Sequence, residues 1–236
     1  MTKKPGWFYD EMKHSGVDYS DPAQVAVYDG RHQKFRNYKR EAEAIIGALK
    51  IEPEHTVIDM GVGTGAFSLH AAPYCKTIYA VDVSPVMLAY TRRKAEQAGL
   101  TNLVFCRGGF LTYEHPGAGV DAVVSVAVLH HLPDFWKFIG LQRTAQMLRP
   151  GGRLYLFDVV FPSDMKDYEA RFGEWIQSMT KLVGADFTAE MEAHLRDEYS
   201  TYDWVLEGYL TRAGFRIDEA NYTGGYNATY LCTKVV

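Results

Sequence analysis

The stretch Val57-Ile58-Asp59-Met60-Gly61-Val62-Gly63-Thr64-Gly65-Ala66 decides the fold. A short apolar run, Thr56 to Met60, leads into three glycines at alternate positions, and a helical pattern over Gly65–Tyr74 follows. Glycine has no Cβ, so the chain can turn tightly and its backbone can come close to a bound group. A helix that begins just beyond aims its unpaired N–H groups at that ligand. Strand, glycine loop and helix in this order open a βαβ unit of a parallel sheet.

The same alternation continues outward. Thr77–Asp82 reads as a second strand, and Ser84-Pro85 starts a helix that ends at Gly99. Leu103–Cys106 is a third strand. Val120–Val126 is a fourth, almost wholly apolar, as a strand buried on both faces should be. Pro133–Leu148 is a helix and Arg153–Val159 a fifth strand. Upstream, Asp21-Pro22 is a helix start, Gly30 should interrupt that helix, and Phe35, Tyr38, Ala42, Ile45, Ile46 and Leu49 mark one face of another over His32–Lys50. After Pro162 the rhythm stops. Residues 163–198 look helical, with Tyr168, Phe172, Trp175, Ile176, Met179 and Leu182 on one side, which suggests an inserted lid. Ser200 or Thr201 then caps a helix ending at Gly214, and Phe215–Ile217 and Asn227–Val235 are the last two strands. The expectation is an α/β protein with a doubly wound, mostly parallel sheet. Residues 1–50 form an arm and helices, and residues 51–236 the main domain, with the lid over about 163–198.

Composition bounds the function. The chain has 236 residues, 47% hydrophobic and 23% charged, which excludes disordered and fibrous classes. A net charge of −4 argues against a protein that grips nucleic acid through its phosphates. The cysteines, Cys75, Cys106 and Cys232, are odd in number and far apart, with no metal-ligand spacing, so neither a disulfide framework nor a metal is expected. No apolar stretch follows the lysines of the opening Met1-Thr2-Lys3-Lys4, and none is long enough to span a bilayer, so the expected protein is cytoplasmic with no membrane partner. The unusual figure is a 14% aromatic share. It reads either as a Tyr-rich core or as an aromatic-lined pocket.

The glycine loop has two readings. Gly61, Gly63 and Ala66 satisfy the G-x-G-x-x-G/A fingerprint of dinucleotide binding, so an NAD(P)-dependent oxidoreductase stays open on the loop alone. Asp82, at the end of the next strand about 20 residues on, is placed to accept hydrogen bonds from both hydroxyls of a ribose. Asp59, however, stands at the carboxyl end of the first strand. Its charge would repel a pyrophosphate and attract an amino group, and S-adenosylmethionine offers an amino group and a ribose together.

From here the chain resembles the class I S-adenosylmethionine-dependent methyltransferases. Ile58 to Gly65 is similar to that family's first motif, and Val81-Asp82-Val83-Ser84 to its acidic ribose motif. Val120 to Ser125 followed by Leu129-His130-His131-Leu132 is similar to its fourth-strand motif, and Leu148-Arg149-Pro150-Gly151-Gly152-Arg153 to the turn before its fifth strand. The resemblance implies a Rossmann-like sheet of seven strands with the seventh reversed, N-terminal helices and a helical insertion after the fifth strand. It implies methyl transfer from S-adenosylmethionine, leaving S-adenosylhomocysteine, to a small-molecule acceptor, by a monomer or homodimer. A non-catalytic S-adenosylmethionine-binding regulator remains open as well. The cofactor residues it points to are Tyr28, Asp59, Gly61, Gly63, Gly65, Asp82, Val83, Met87, Gly109, Phe110, Ser125 and Val126. One position departs from the pattern. Gly109 stands where the family often has an acid that holds the adenine amino group, so backbone groups near Gly109 and Phe110 and packing from Val83 and Met87 are left to hold the ring.

Three further residues are candidates for the chemistry. His130 and His131 lie just beyond the fourth strand, at the sheet edge where doubly wound folds bind ligands, and either suits a general base. The alternative is that Leu-His-His-Leu serves packing and loop shape. Asp158 ends the fifth strand in a similar place, or caps the lid helix. Tyr9, Tyr19, Tyr28 and Tyr38 before the scaffold, and Tyr168, Phe172, Trp175, Tyr199, Tyr202 and Trp204 after it, are candidates to cover a substrate, attracting a cationic one by their ring faces. The rival reading is a helix stripe packing on a core.

Overall fold

Burial on both faces makes the central strands. β1 (Thr56–Met60) and β4 (Val120–Val126) lie side by side, parallel, with Ile58 opposite Val123 and Asp59 opposite Val124. Both are apolar on both faces because helices cover both sides of the sheet. In the computed structural model, residues 4–13, 15–16, 19–162 and 164–235 are described. Met1–Lys3, His14, Val17 and Asp18 of the expected arm, Ser163 at the start of the expected lid, and Val236 lie outside the described residues.

β2 (Thr77–Asp82) and β3 (Leu103–Arg107) extend the sheet beyond β1, and β5 (Leu148–Phe161) pairs parallel with β4 on the other side. β8 (Asn227–Lys234) is antiparallel to β5, and β7 (Phe215–Thr223) antiparallel to β8. The strand order is β3-β2-β1-β4-β5-β8-β7, so the winding reverses between β1 and β4. The fold is the doubly wound, mostly parallel Rossmann-like α/β sheet expected, with a correction to the strand count. Among the described residues the sheet has eight strands, because Thr201–Tyr202 forms a two-residue β6 parallel to the end of β5.

The helices differ from their sequence patterns in four places. α1 (Pro22–His32) starts as expected, with the Asp21 carboxylate accepting from Ala23 N at 2.8 Å, but it runs straight through Gly30. The break falls after His32, and α2 begins at the Asn37 cap and spans Tyr38–Leu49. After the glycine loop, α3 keeps only Ser68–Ala71, followed by a single 3₁₀ turn, because Pro73 lacks the N–H a longer helix needs. α4 (Pro85–Gln97) and α5 (Asp134–Met147) follow their patterns. The segment after β5 is two helices, α6 (Tyr168–Val183) and α7 (Ala185–Asp197), parted at Gly184, whose φ is 125°. Finally, neither Ser200 nor Thr201 caps α8 (Asp203–Arg212). Thr201 joins β6 and its hydroxyl donates to Asp134 Oδ2 at 3.2 Å.

The aromatic stripe of α6 is divided. Trp175 stacks on Tyr226 at 4.6 Å and Phe172 packs against Phe161 at 5.3 Å, whereas Tyr168 and Leu182 are exposed. α7 meets α1 through the Arg31–Glu190 ion pair, and the turn after α1 through the Phe35–Phe187 contact at 5.8 Å. Lys34 Nζ donates to Val183 O at 2.5 Å.

Candidate active site

The carboxyl ends of β1, β2 and β4 surround the switch point, the place where open α/β sheets bind ligands. A cavity of about 890 Å³, its open mouth included, lies there. Its floor is the glycine loop. Gly61 has φ +80°, and a Cβ on it would run into the Val128 side chain from across the switch point, so only glycine fits. Gly61 N and Val62 N both donate to Val81 O, at 2.8 and 2.9 Å, which holds the loop against β2.

Asp82 braces the same loop. Its Oδ2 accepts from Gly63 N and its Oδ1 from Ser84 N, both at 2.8 Å. Val83, Met87, Gly109, Phe110 and Val126 line the cavity with Asp82, Gly61, Gly63 and Tyr28. Gly65 and Ser125 do not. Gly65 gives α4 room, since a Cβ there would sit 2.7 Å from Thr91 Cγ2, and Ser125 is fully buried in β4.

Asp59 lies just below the floor, on a smaller adjoining cavity that shares Tyr28, Gly61, Gly63 and Val126 with the main one. Ser68 donates to its Oδ2 at 2.6 Å. Burial pushes its carboxyl up to about 7, against the pull of the Ser68 hydrogen bond, with the Asp82 charge raising it further. Such a group gains from a cationic neighbour.

The arm supplies a residue that sequence reading missed. Glu11 is buried in the cavity wall beside Gly109. It accepts from Leu111 N at 3.0 Å and from the Thr112 hydroxyl at 2.6 Å. Burial raises its carboxyl above the usual range despite those hydrogen bonds. No motif marks it, for it comes from outside the scaffold. The missing acid at Gly109 was the available signal. Further along, Ser84 Oγ donates to Tyr19 O at 2.7 Å, and Tyr9 OH to His131 O at 3.3 Å, so the arm is tied down across the cavity.

α1 adds Tyr28. Asp29, next in sequence, accepts from Thr64 Oγ1 at 2.6 Å and from Lys94 Nζ at 2.9 Å, which docks α1 on the glycine loop. Tyr28 stacks on His32 at 3.9 Å and meets Tyr19 edge-on at 5.7 Å. Burial raises its hydroxyl pKa above the ordinary tyrosine value. Of the aromatic candidates, Tyr19 and Tyr28 line the cavity, while Tyr168, Phe172, Trp175, Tyr199, Tyr202 and Trp204 do not.

Of the three candidates for chemistry, His131 alone lines the cavity. His130 and Asp158 sit behind it as a pair: His130 Nδ1 lies 2.5 Å from Asp158 Oδ1, and Asp158 also accepts from His130 N and Val159 N. Asp158 therefore does not cap the lid. Burial alone would favour the neutral form of each, but the carboxylates of Asp158 and Glu198 hold the His130 imidazole above its usual pKa, and His130 holds Asp158 below its own. His131 is pushed down to about 3 by burial and by its charged neighbour His130, so it is a neutral imidazole at physiological pH.

The switch-point cavity, the braced glycine loop and the acidic end of β2 define a Rossmann-like α/β protein with a candidate ligand site at the switch point. A family model described as a methyltransferase domain matches residues 57–152. An uncharacterized methyltransferase of Geobacillus kaustophilus is 27% identical over 187 residues, 79% of this chain and 81% of its own. The 27-O-demethylrifamycin SV methyltransferase of Amycolatopsis mediterranei is 27% identical over 163 residues, 67% of this chain and 58% of its own. In structure, a SAM-dependent methyltransferase from Aquifex aeolicus superposes with a TM-score of 0.65 at 18% identity, covering 91% of this chain and 99% of the other. Residues 57–152 thus match a methyltransferase domain, and the chain has the Rossmann-like fold seen in S-adenosylmethionine-dependent methyltransferases. No helix among the described residues is long and apolar enough to cross a membrane.

Proposed function

We propose that the protein transfers a methyl group from S-adenosylmethionine to a small-molecule acceptor inside the main cavity. The observation that carries the reading is Asp82, the acidic end of β2, held at the cavity wall by Gly63 N and Ser84 N. In this reading Asp82 accepts from the ribose hydroxyls. Asp59 attracts the amino group from below the loop, and Tyr28 reaches the same end of the ligand. Val83, Met87 and Phe110 pack on the adenine, and Glu11 takes the role that an acid at position 109 would otherwise fill.

The cofactor, when bound, supplies an electrophilic methyl on a sulfonium. The protein's own part is alignment and exclusion of water, which supply several kcal/mol in well-held pairs. His131 faces the acceptor as a neutral imidazole able to accept a hydrogen bond from its O–H or N–H. His130, held by Asp158, positions that imidazole from behind. Residues 1–50 and the lid of about 163–198 form the cover, which the arm's hydrogen bonds across the cavity and the α1–α7 contacts support. The negative net charge and the lack of a basic stripe favour a small acceptor over a nucleic acid, in keeping with the name of the rifamycin-modifying relative. The reading is of a cytoplasmic enzyme. Its test is transfer of labelled methyl from S-adenosylmethionine to a panel of small hydroxyl, amine and thiol compounds, with Asp82→Ala expected to abolish it. Transfer that survives Asp82→Ala would contradict the reading.

A further inference from the structure

Two segments distant in sequence bring three imidazoles and a carboxylate together at the cavity wall. His130 and His131 form the short turn after β4, Glu198 follows the end of α7, and His194 lies one helical turn before it. The Glu198 side chain is only 3% exposed. Its Oε2 lies 3.3 Å from His130 Nε2 and against His194 Nδ1, and its Oε1 lies 4.0 Å from His131 Nδ1. One such atom from each of His130, His131 and Glu198 falls within 4.8 Å of the others.

The partners of these groups fix where their nitrogen and oxygen atoms point. Asp158 accepts the Nδ1 proton of His130, which turns Nε2 toward Glu198, where a bound metal ion would displace the Nε2 proton. His194 Nε2 is within 2.9 Å of Ser200 Oγ, leaving Nδ1 to hold Glu198 in place. The nearby Lys137 ammonium is directed instead at Asp134 Oδ1, 2.8 Å away, and at Tyr199 O. Nitrogen and oxygen donors that converge in a buried site can take a metal ion in place of the proton shared between them. Two histidines and one carboxylate, with further positions open, are a donor set for Zn²⁺ or Fe²⁺. A carboxylate on the outer nitrogen of a ligating histidine is the usual support for such a set. Bonds of about 2.0–2.2 Å place neighbouring ligand atoms about 3.0–3.5 Å apart, so the His130–Glu198 pair already fits and His131 has to close by up to about 1–2 Å.

We propose that His130 Nε2, His131 Nδ1 and Glu198 bind a divalent transition-metal ion, Zn²⁺ or Fe²⁺, at the wall of the main cavity, with an open position toward the ligand space that His131 lines. The ion would take the acceptor's oxygen or nitrogen as a further ligand; that role rests on the methyl-transfer reading, whereas the metal site does not. Nothing in the sequence marks it, because the carboxylate comes from the far end of the insertion.

The test is titration of chelator-treated protein with Co²⁺, read by its visible absorption, and with Zn²⁺, read by calorimetry. One equivalent should bind. Glu198→Gln and His131→Gln should each weaken binding about 100-fold or more, and Asp158→Asn about 10–100-fold. His131 is the more exposed of the ligands, so His131→Gln serves if Glu198→Gln fails to fold. S-adenosylhomocysteine binding is measured in the same samples. Absence of a Co²⁺ band, or a band unchanged in both ligand variants, overturns the metal site. A metal-free protein that still binds S-adenosylhomocysteine leaves the cofactor reading standing whatever the Co²⁺ result, so the two fail separately.

Discussion

Glu11 Oε2 fills the space a side chain at Gly109 would enter: a Cβ on Gly109 would lie 2.6 Å from it and 3.0 Å from Val83 Cγ1. The arm thus delivers a carboxylate to the end of β3, where the chain itself has none. Charge-assisted hydrogen bonds contribute about 1.5–3 kcal/mol. Glu11→Ala should therefore weaken S-adenosylhomocysteine binding roughly tenfold or more, measured by calorimetry. Gly109→Asp alone should also weaken it by displacing the arm. The double variant Glu11→Ala/Gly109→Asp should recover much of the loss, and a double variant weaker than both singles would contradict the exchange.

Asp59 sets a pH dependence. Its carboxyl is raised to about 7 by burial, so the folded protein holds a proton that the unfolded chain releases near 4. The sign follows from linkage: stability without ligand falls as pH rises from about 4 to about 7, and the penalty is complete above that. A cationic ligand favours the ionised form, so affinity for S-adenosylhomocysteine should rise through pH 7 and level off. Asp59→Asn should flatten that profile, weaken binding, and melt higher than the native protein at pH 8. Calorimetry across pH and melting curves at pH 8 check both halves.

Gly61 and Val128 meet across the switch point. Gly61→Ala combines a left-handed φ with overlap on the Val128 side chain, and strain of this kind costs about 1–3 kcal/mol. The variant should lose stability and cofactor binding. Adding Val128→Ala removes the overlap and leaves the φ strain, so melting temperature should recover in part.

The Arg31–Glu190 pair links α1 to α7 at partly exposed positions. Arg31→Ala should cost at most about 1 kcal/mol of stability. Its main effect should be faster hydrogen exchange in α6 and α7 and a higher KM for the acceptor, with S-adenosylhomocysteine affinity unchanged. A loss of cofactor affinity alone would argue against α7 as part of the acceptor's cover.

The scaffold was legible because its signals are local. Apolar runs such as Val120–Val126 and the loop from Asp59 to Gly65 state their own geometry, and the end of one strand places Asp82. What the sequence did not disclose depends on contacts between distant segments. Gly30 reads as a breaker, yet α1 continues through it because Asp29 anchors the helix on Thr64 and Lys94. Thr201 reads as a cap, yet pairing with the end of β5 claims it. Glu11 and Glu198 carry no motif and acquire meaning only beside Gly109 and His130. The aromatic excess divides the same way: Tyr19 and Tyr28 line the cavity, whereas Trp175 and Phe172 pack the lid on Tyr226 and Phe161.

The most direct measurement is a set of melting curves for the native protein and Asp82→Ala with S-adenosylmethionine, S-adenosylhomocysteine, NAD or NADP. A ligand at 100 times its dissociation constant adds about 2.7 kcal/mol, which shifts the midpoint of a domain this size by roughly 5–11 °C. A shift with the two sulfur ligands, none with the nicotinamides, and its loss in Asp82→Ala is the result predicted. A shift with NAD or NADP and none with S-adenosylmethionine, or an unchanged shift in Asp82→Ala, would contradict the site described.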